Sequence, residues 1–378
     1  MTYKGNTKLG LLFQNRRDKG IEGLPTFSVT INNGLINRDS LNRKTETNLS
    51  AEDHLIVYKG DIAYNMMRMW QGASGLAKQD GIISPAYIVL EPQKKIIDPL
   101  YASYLFKTKR MIYLFGAYSY GLTSDRLRLY FNDFKKIPVN IPSLPEQQKI
   151  TRILCTWDNA IETAEKLINN SRQQKKALMQ QFVTGKRRLH GYNDKWKQIK
   201  LKDCAECLDN KRIPLNKEER SKIKGKIPYW GASNIVDYVN DYIFNETIIL
   251  LAEDGGSFSE FQTKPIANIV RGKSWINNHA HVLRAKPNTT NDWLFYSLVH
   301  KNILGFVVGG TRAKLNKTDM LKIPINLPSV EEQSKITEFL KENDALIRSQ
   351  ENDLKLLQQQ KKSLMQQIFN GNRRIKTN

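Results

Sequence analysis

The phrase IPVNIPSLPEQQKI at 137–150 returns almost unchanged, 186 residues later, as IPINLPSVEEQSKI at 323–336. Extended without a gap, from Lys136 to Arg188 against Lys322 to Arg374, 26 of the 53 paired positions are identical. Chance identity is about one in sixteen, so the chain carries an internal duplication. The period is far too long for a solenoid. It describes two large units, each a divergent region followed by a shared segment.

The shared segment has the pattern of a long helix. Ser143 with Glu146, and Ser329 with Glu332, fit a capping box, in which the hydroxyl caps a free amide and the carboxylate reaches back. The prolines upstream, Pro138 and Pro142, Pro324 and Pro328, suit an extended lead-in. Apolar residues then recur at spacings of three and four. One stripe holds Ile150, Leu154, Trp157, Ile161, Ala164, Ile168, Leu178 and Phe182. The other holds Ile336, Leu340, Ile347, Leu354, Leu357, Leu364 and Ile368. This is a coiled-coil seam. Gly185 and Gly371 stand where each helix would end, before Arg-Arg pairs. Ser171, Lys175, Asn343, Gln350 and Lys361 interrupt the seam, as polar layers that set register do. Two such helices from one chain are expected to pair antiparallel and hold the divergent regions apart.

The divergent regions have period-two alternation and abundant turn residues, so each is expected to be mainly β with a few short helices. Phrases correspond in order: GLPTFSVTINNGLI at 23–36 with GKIPYWGASNIVDYV at 225–239, and GIISPAYIVLEP at 81–92 with WINNHAHVLRAKP at 275–287. A short helix is expected in each, capped near Asp98 and near Asn291. The fold class is thus α+β: two mainly β domains with short helices, two long antiparallel coiled-coil helices, and an internal pseudo-twofold repeat. The boundaries expected are 1–142, 143–186, 187–328 and 329–372.

Composition narrows the partner. Lys and Arg total 59 against 37 Asp and Glu, a net charge of +22 spread along the whole chain. A distributed basic excess suggests a basic face for nucleic acid, and a solvated basic surface or an acidic protein partner would give the same number. Three cysteines give no disulfide framework, and no apolar run has the length of a membrane span. A cytoplasmic protein with no membrane partner is expected.

The order of these motifs resembles the specificity subunit of type I restriction-modification systems over nearly the whole chain. GLTSDRLRLYFNDFKKIPV at 121–139 and GGTRAKLNKTDMLKIPI at 309–325 look like that family's closing segments of each target-recognition domain, and WINNHAHVL is typical of it. The resemblance implies a non-catalytic reader of double-stranded DNA. Each domain would read half of a split target. The helices would set the spacing and dock two methyltransferase subunits, with two motor-nuclease subunits joining them. No cofactor is expected in this chain; S-adenosylmethionine, ATP and magnesium would sit on the partner subunits. The competing reading is a coiled-coil adaptor that binds proteins and no specific DNA.

Readout needs Arg, Lys, Asn, Gln, Ser or aromatic side chains on loops. The first region offers Asn32, Asn33, Arg38, Asn65, Arg68, Trp70, Gln71, Ser124 and Arg126. The second offers Trp230, Ser233, Asn234, Ser257, Gln262, Asn277, Asn278, Arg312 and Lys314. Trp70 and Trp230 fit a packed core equally well.

No catalytic constellation emerges. There is no Asp/Asn-Pro-Pro-Tyr/Phe phrase and no glycine-rich cofactor loop after a strand. RGKSW at 271–275 has Ala267 where a phosphate-binding loop needs glycine. Asp133-Phe-Lys135 and Asp353-Leu-Lys355 mimic a nuclease pair, but the first lies at the entry to the shared segment and the second within the long helix, so structural roles are expected. Cys204 and Cys207 form a CxxC with no second pair for zinc, and are expected as buried thiols. His279 and His281 face one side of a strand with no carboxylate or cysteine beside them, and are expected to pack or hydrogen-bond within the domain.

Overall fold

The structure is a computed structural model that describes residues 4–40, 49–123, 125–310 and 313–375. It divides into two compact units, Met1–Glu165 with Asp353–Asn378, and Lys166–Asn352. Their boundaries differ from those drawn from the sequence, because each long helix gives one half to each unit.

In the first unit, Phe13–Arg16, Tyr87–Pro92, Ile62–Asn65 and Ser74–Leu76 form an antiparallel sheet in that order. A second sheet orders Gly34–Asn37, Thr26–Thr30, Gly81–Ile83 and Leu55–Val57, with a parallel pairing of Thr26 beside Ile82. Lys4–Lys8 pairs with Pro138–Ile141. The second unit repeats this plan. Ala205–Cys207, Ala280–Ala285, Ile248–Ala252 and Ala267–Val270 make one sheet. Ile235–Val239, Lys224–Trp230, Lys273–Ile276 and Phe244–Asn245 make the other, again with one parallel step, Tyr229 beside Trp275. Lys197–Lys200 pairs with Pro324–Leu327. Ile248–Ala252 is buried at every position, which explains its unbroken apolar run where alternation would mark a half-exposed strand.

The short helix Pro99–Leu105 starts as expected: Asp98 accepts the Tyr101 amide at 2.7 Å. Its counterpart Asn291–Leu298 is capped by Thr290, which accepts the Trp293 amide at 3.1 Å. Asn291 is a correction to the sequence reading. Its amide oxygen instead accepts the Ala285 amide, at 2.9 Å, and so ties the helix to the preceding strand.

The long helices run Leu144–Val183 and Val330–Phe369, 40 residues each. Gly185 and Gly371 follow at φ of 74° and 78°, the left-handed conformation that ends a helix. Ser329 caps the Glu332 amide at 3.2 Å. Glu332 does not complete a capping box, however. Its buried carboxylate takes a two-pronged bond from Arg188, at 2.7 and 2.9 Å, and another from the Trp196 indole at 2.9 Å. Charge-assisted bonds to guanidinium outcompete one backbone amide.

Within each unit the helix halves run antiparallel and share the core of the β region. Ile150 and Leu154 join Ile368, Leu364, Phe13 and Phe134 in the first. Phe182 and Met179 join Ile336, Leu340 and Trp293 in the second. Met179 lies outside the stripe read from the sequence, yet is buried. Leu178, which the stripe includes, is only partly so. Two polar interruptions of the seam prove to be ion pairs: Lys361 with Asp158, and Lys175 with Asp344. Gln147 is wholly buried and bonds Ile96 O, Pro142 O and the Asp98 amide. Gln333, one repeat later, does the same with Asn288 O, Pro328 O and the Thr290 amide.

Among the described residues, no helix is long and apolar enough to cross a membrane.

Candidate nucleic-acid interface

In the first unit the strands at 26–30 and 34–37 meet in a tight turn. Thr30 Oγ1 accepts the Asn33 amide at 3.0 Å and donates to Gly34 O at 3.1 Å, which leaves Asn32 and Asn33 exposed at the tip. Arg38 is half-buried just beyond it. The loop 65–72 is pinned by Met69, which is fully buried. Around that pin, Asn65 Oδ1 accepts the Met67 amide at 3.0 Å, the Trp70 indole donates to Met67 O at 3.0 Å, and Arg68 donates to Gln71 Oε1 at 3.2 Å. Arg68 stands exposed, while Trp70 and Gln71 are half-buried. Trp70 is therefore partly packing, with its indole N–H spent on the loop itself.

A third loop, 120–128, is closed by Tyr120 against Arg128 and carries exposed Arg126. It lies against the second loop: the Leu129 amide donates to Met66 O at 2.9 Å. The Thr123 hydroxyl and, more weakly, Arg68 hold the Asp125 carboxyl below its ordinary range. Ser124 lies outside the described residues. Asn65, Arg68, Gln71 and Arg126 thus belong to one cluster of loops.

The second unit draws on corresponding loops at 231–234, 253–266 and 309–315, and adds the turn between Lys273–Ile276 and Ala280–Ala285, which corresponds to 84–86 in the first. Gly231 donates to Asn234 O at 2.9 Å, turning the chain so that Asn234 is exposed. The Asn268 amide holds Ser233 O at 3.1 Å. Trp230 is half-buried, and its indole nitrogen has no hydrogen-bond partner among the described residues. Its carbonyl accepts the Asn277 amide at 3.0 Å, which joins this loop to Asn277 and exposed Asn278. Exposed Lys314 reaches Glu253 at 3.2 Å, beside the same loop, since the Glu253 amide donates to His279 O. Ser257 precedes a turn pinned by buried Phe258. Gln262 is placed elsewhere: it lines a cavity of about 510 Å³ beside the long helices, with Arg172, Lys176 and Glu351. Arg312 lies outside the described residues.

Beneath these loops lies a charged network that sequence reading missed. Arg212 donates to Glu253 at 2.7 Å, Ala280 O at 2.8 Å and Asn278 O at 3.2 Å. His281 is buried, with Nδ1 2.6 Å from Asp209 and Nε2 2.8 Å from Leu315 O. His279 sits 2.5 Å from Asp254. The expectation that no carboxylate or cysteine lies beside the two histidines is overturned, because the fold brings Asp209, Asp254 and Cys207 to them from distant segments. Burial opposes charge on Asp209, but His281, the Val282 amide and Arg212 outweigh it and hold its carboxyl below the usual range. Donor atoms of Cys207, Asp209 and His281 lie within 4.8 Å of one another. A metal would need a thiolate and a free ring nitrogen. Burial instead pushes the Cys207 thiol up to about 11, and both ring nitrogens already face acceptors. Through these bonds Asp209 and His281 brace the segment at 207–209 against the strand Ala280–Ala285 and Leu315. Cys204 is buried, and its thiol faces Leu201 O.

Two β units of one topology, each presenting polar and basic loops and each sharing its core with halves of two long helices, define a duplicated recognition scaffold. The chain belongs to the type I restriction-modification DNA specificity family, which it matches over residues 8–170 and 193–359. It is 37% identical over 152 residues to a type I restriction enzyme specificity subunit of Haemophilus influenzae, covering 40% of this chain and 38% of that one. Over 357 residues it is 25% identical to the MjaVIII specificity subunit of Methanocaldococcus jannaschii, covering 85% of this chain and 81% of that one. Its fold is similar to that of the type I S subunit from M. genitalium, with a TM-score of 0.57 at 17% identity, covering 96% of this chain and 95% of that one.

Proposed function

We propose that this chain is the DNA-reading, non-catalytic subunit of a type I restriction-modification complex, in which each β unit reads one half of a split target. The observation that carries this is the repetition itself: two independent cores hold polar and basic loops at equivalent places in the topology. The two loop clusters centre on Asn32, Arg68 and Arg126, and on Trp230, Asn277 and Lys314. A net charge of +22 supports attraction to the phosphate backbone, and the loop side chains suit groove readout. The long helices, common to both units, are the part suited to fixing the unread spacer and to docking two methyltransferase subunits that bring S-adenosylmethionine. Motor-nuclease subunits would add ATP- and magnesium-dependent cleavage.

The test is to expose DNA to this chain together with its methyltransferase and to sequence the modified sites. The expected result is a bipartite motif with a methylated adenine in each half. A continuous motif, or methyl transfer by this chain alone, would overturn the proposal.

A further inference from the structure

Lys107 joins two loops that the sequence separates by some forty residues. It follows the short helix Pro99–Leu105, and its backbone is fixed on both sides. Its amide donates to Tyr104 O at 3.1 Å, and Thr108 caps the next helix, Lys109–Ala117, through the Met111 amide at 3.3 Å. From this rigid corner the ammonium donates to Ile31 O at 2.9 Å and to Gly72 O at 2.7 Å. Ile31 opens the turn that carries Asn32 and Asn33. Gly72 closes the loop that carries Arg68 and Gln71, and does so at a φ of 84°, a left-handed conformation that residues with a Cβ resist. An ammonium is a compact charge with three rotatable donors, suited to two carbonyls that share no plane.

We infer that Lys107 is a positioning residue for target reading, its ammonium clasping the 31–33 turn to the 65–72 loop so that both meet DNA as one surface. This rests on the reading of the first unit as a recognition domain. Among the described residues, no lysine clasps the loops of the second unit in this way. Tyr104 and Tyr296 occupy equivalent places, so Val299 stands where Lys107 would be, and the 230–234 loop is held by the neutral amide of Asn268 instead. The second half-site therefore serves as an internal control.

Burial alone lowers the Lys107 ammonium to about 8. The charged groups lining the adjoining cavity are Lys109, Lys361 and Lys362. The proton is held at pH 7 and lost as pH rises through 8, so the clasp should weaken between pH 7 and 9.

The experiment uses the chain assembled with its methyltransferase and duplexes of the methylated motif, with one base pair changed in either half. For Lys107→Met, affinity for the intact motif should fall about tenfold, the cost of roughly one lost base contact. The penalty for changes in the first half-site should shrink, and that for the second half-site should stay. In the unaltered protein the first-half penalty should shrink from pH 7 to 9. Lys107→Arg, charged throughout, should abolish that dependence. If Lys107→Arg does not fold, the pH series on the unaltered protein decides. Unchanged first-half discrimination in folded Lys107→Met, or equal loss in both halves, would overturn the clasp. Absence of discrimination by the unaltered protein would instead overturn the reading of the loops as a DNA surface.

Discussion

Tyr104 donates its phenol hydrogen to the carboxylate of Asp158, 2.5 Å away, at a point where Asp158 also pairs with Lys361. Tyr104 belongs to the β unit, Asp158 to the first long helix and Lys361 to the second. One repeat later Tyr296 donates to Asp344 at 2.8 Å, and Asp344 pairs with Lys175. Both lysines also lie over the tyrosine rings, at 5.1 and 5.6 Å. Each triad fastens a β unit to both helices by groups whose geometry leaves little play.

Tyr104→Phe removes the donor but keeps the ring and the ion pair. It should destabilise the protein by about 1.5–3 kcal/mol, the net worth of a bond to a charged acceptor. Tyr296→Phe should do the same in the second unit, and the two effects should add. Urea unfolding of the single and double variants measures both quantities.

Gln147→Leu and Gln333→Leu each leave one buried and two partly buried backbone groups without that partner. Each should cost about 2–4 kcal/mol, more than the tyrosine variants, because buried polar groups deprived of partners lose their hydration as well. Thermal denaturation of the two variants beside the unaltered protein would show the order. A smaller shift than for Tyr104→Phe would contradict it.

Arg68→Ala and Arg126→Ala should weaken binding to duplexes altered only in the second half-site as strongly as to the intact motif. For a residue on phosphate, the slope of log affinity against log salt should fall by about one. A residue on a base edge should cost about 1–3 kcal/mol and relax one position of the first half-site. Fluorescence anisotropy across a salt series distinguishes the two.

The Asp209 and Glu253 carboxyls are held below their ordinary values of 3.8 and 4.5. A depressed folded-state value contributes stability above the unfolded-state value, and loses it as pH falls through the folded one. The second unit should therefore lose stability progressively below about pH 4.5. Asp209→Asn should remove part of that dependence while lowering stability at pH 7. Unfolding midpoints from pH 7 to pH 3 provide the check.

Seven residues added after Ala164 and after Gln350 preserve the seam, because a heptad restores the same face. Both insertions fall next to the boundaries between the compact units, at Glu165 and Asn352, so the core contacts within each unit survive and the exposed Arg172–Glu351 pair is given up. The preferred spacer should lengthen by about three base pairs, from about 10.5 Å of added helix. Methylation of targets with graded spacers measures this. An unchanged preference in a folded, active variant would show that the helices do not set the spacing.

The duplication, the two long helices, their glycine ends, the Asp98 cap and the mainly β character of the divergent regions were all legible in the sequence. They rest on local periodicity, on stop signals, and on one phrase written twice. Asn291 misled because two adjacent cap-forming residues, Thr290 and Asn291, compete, and only the approach of the Ala285 amide assigns them. Glu332 misled because a local partner was assumed where Arg188 stood ready from 144 positions away. The Tyr104–Asp158–Lys361 triad showed in the sequence only as Lys361 interrupting the seam, with neither partner named, and the Asp209–His281 brace and the Lys107 clasp left no signal at all. Each joins side chains to groups brought together only when strands cross and helices fold back, and a hydrogen bond between residues 203 apart, as in Lys361 and Asp158, has no period to betray it. Propensity and pattern act along the chain, whereas desolvation and pairing act across it, so the chain by itself determined the scaffold and the tertiary structure alone decided how its loops are held.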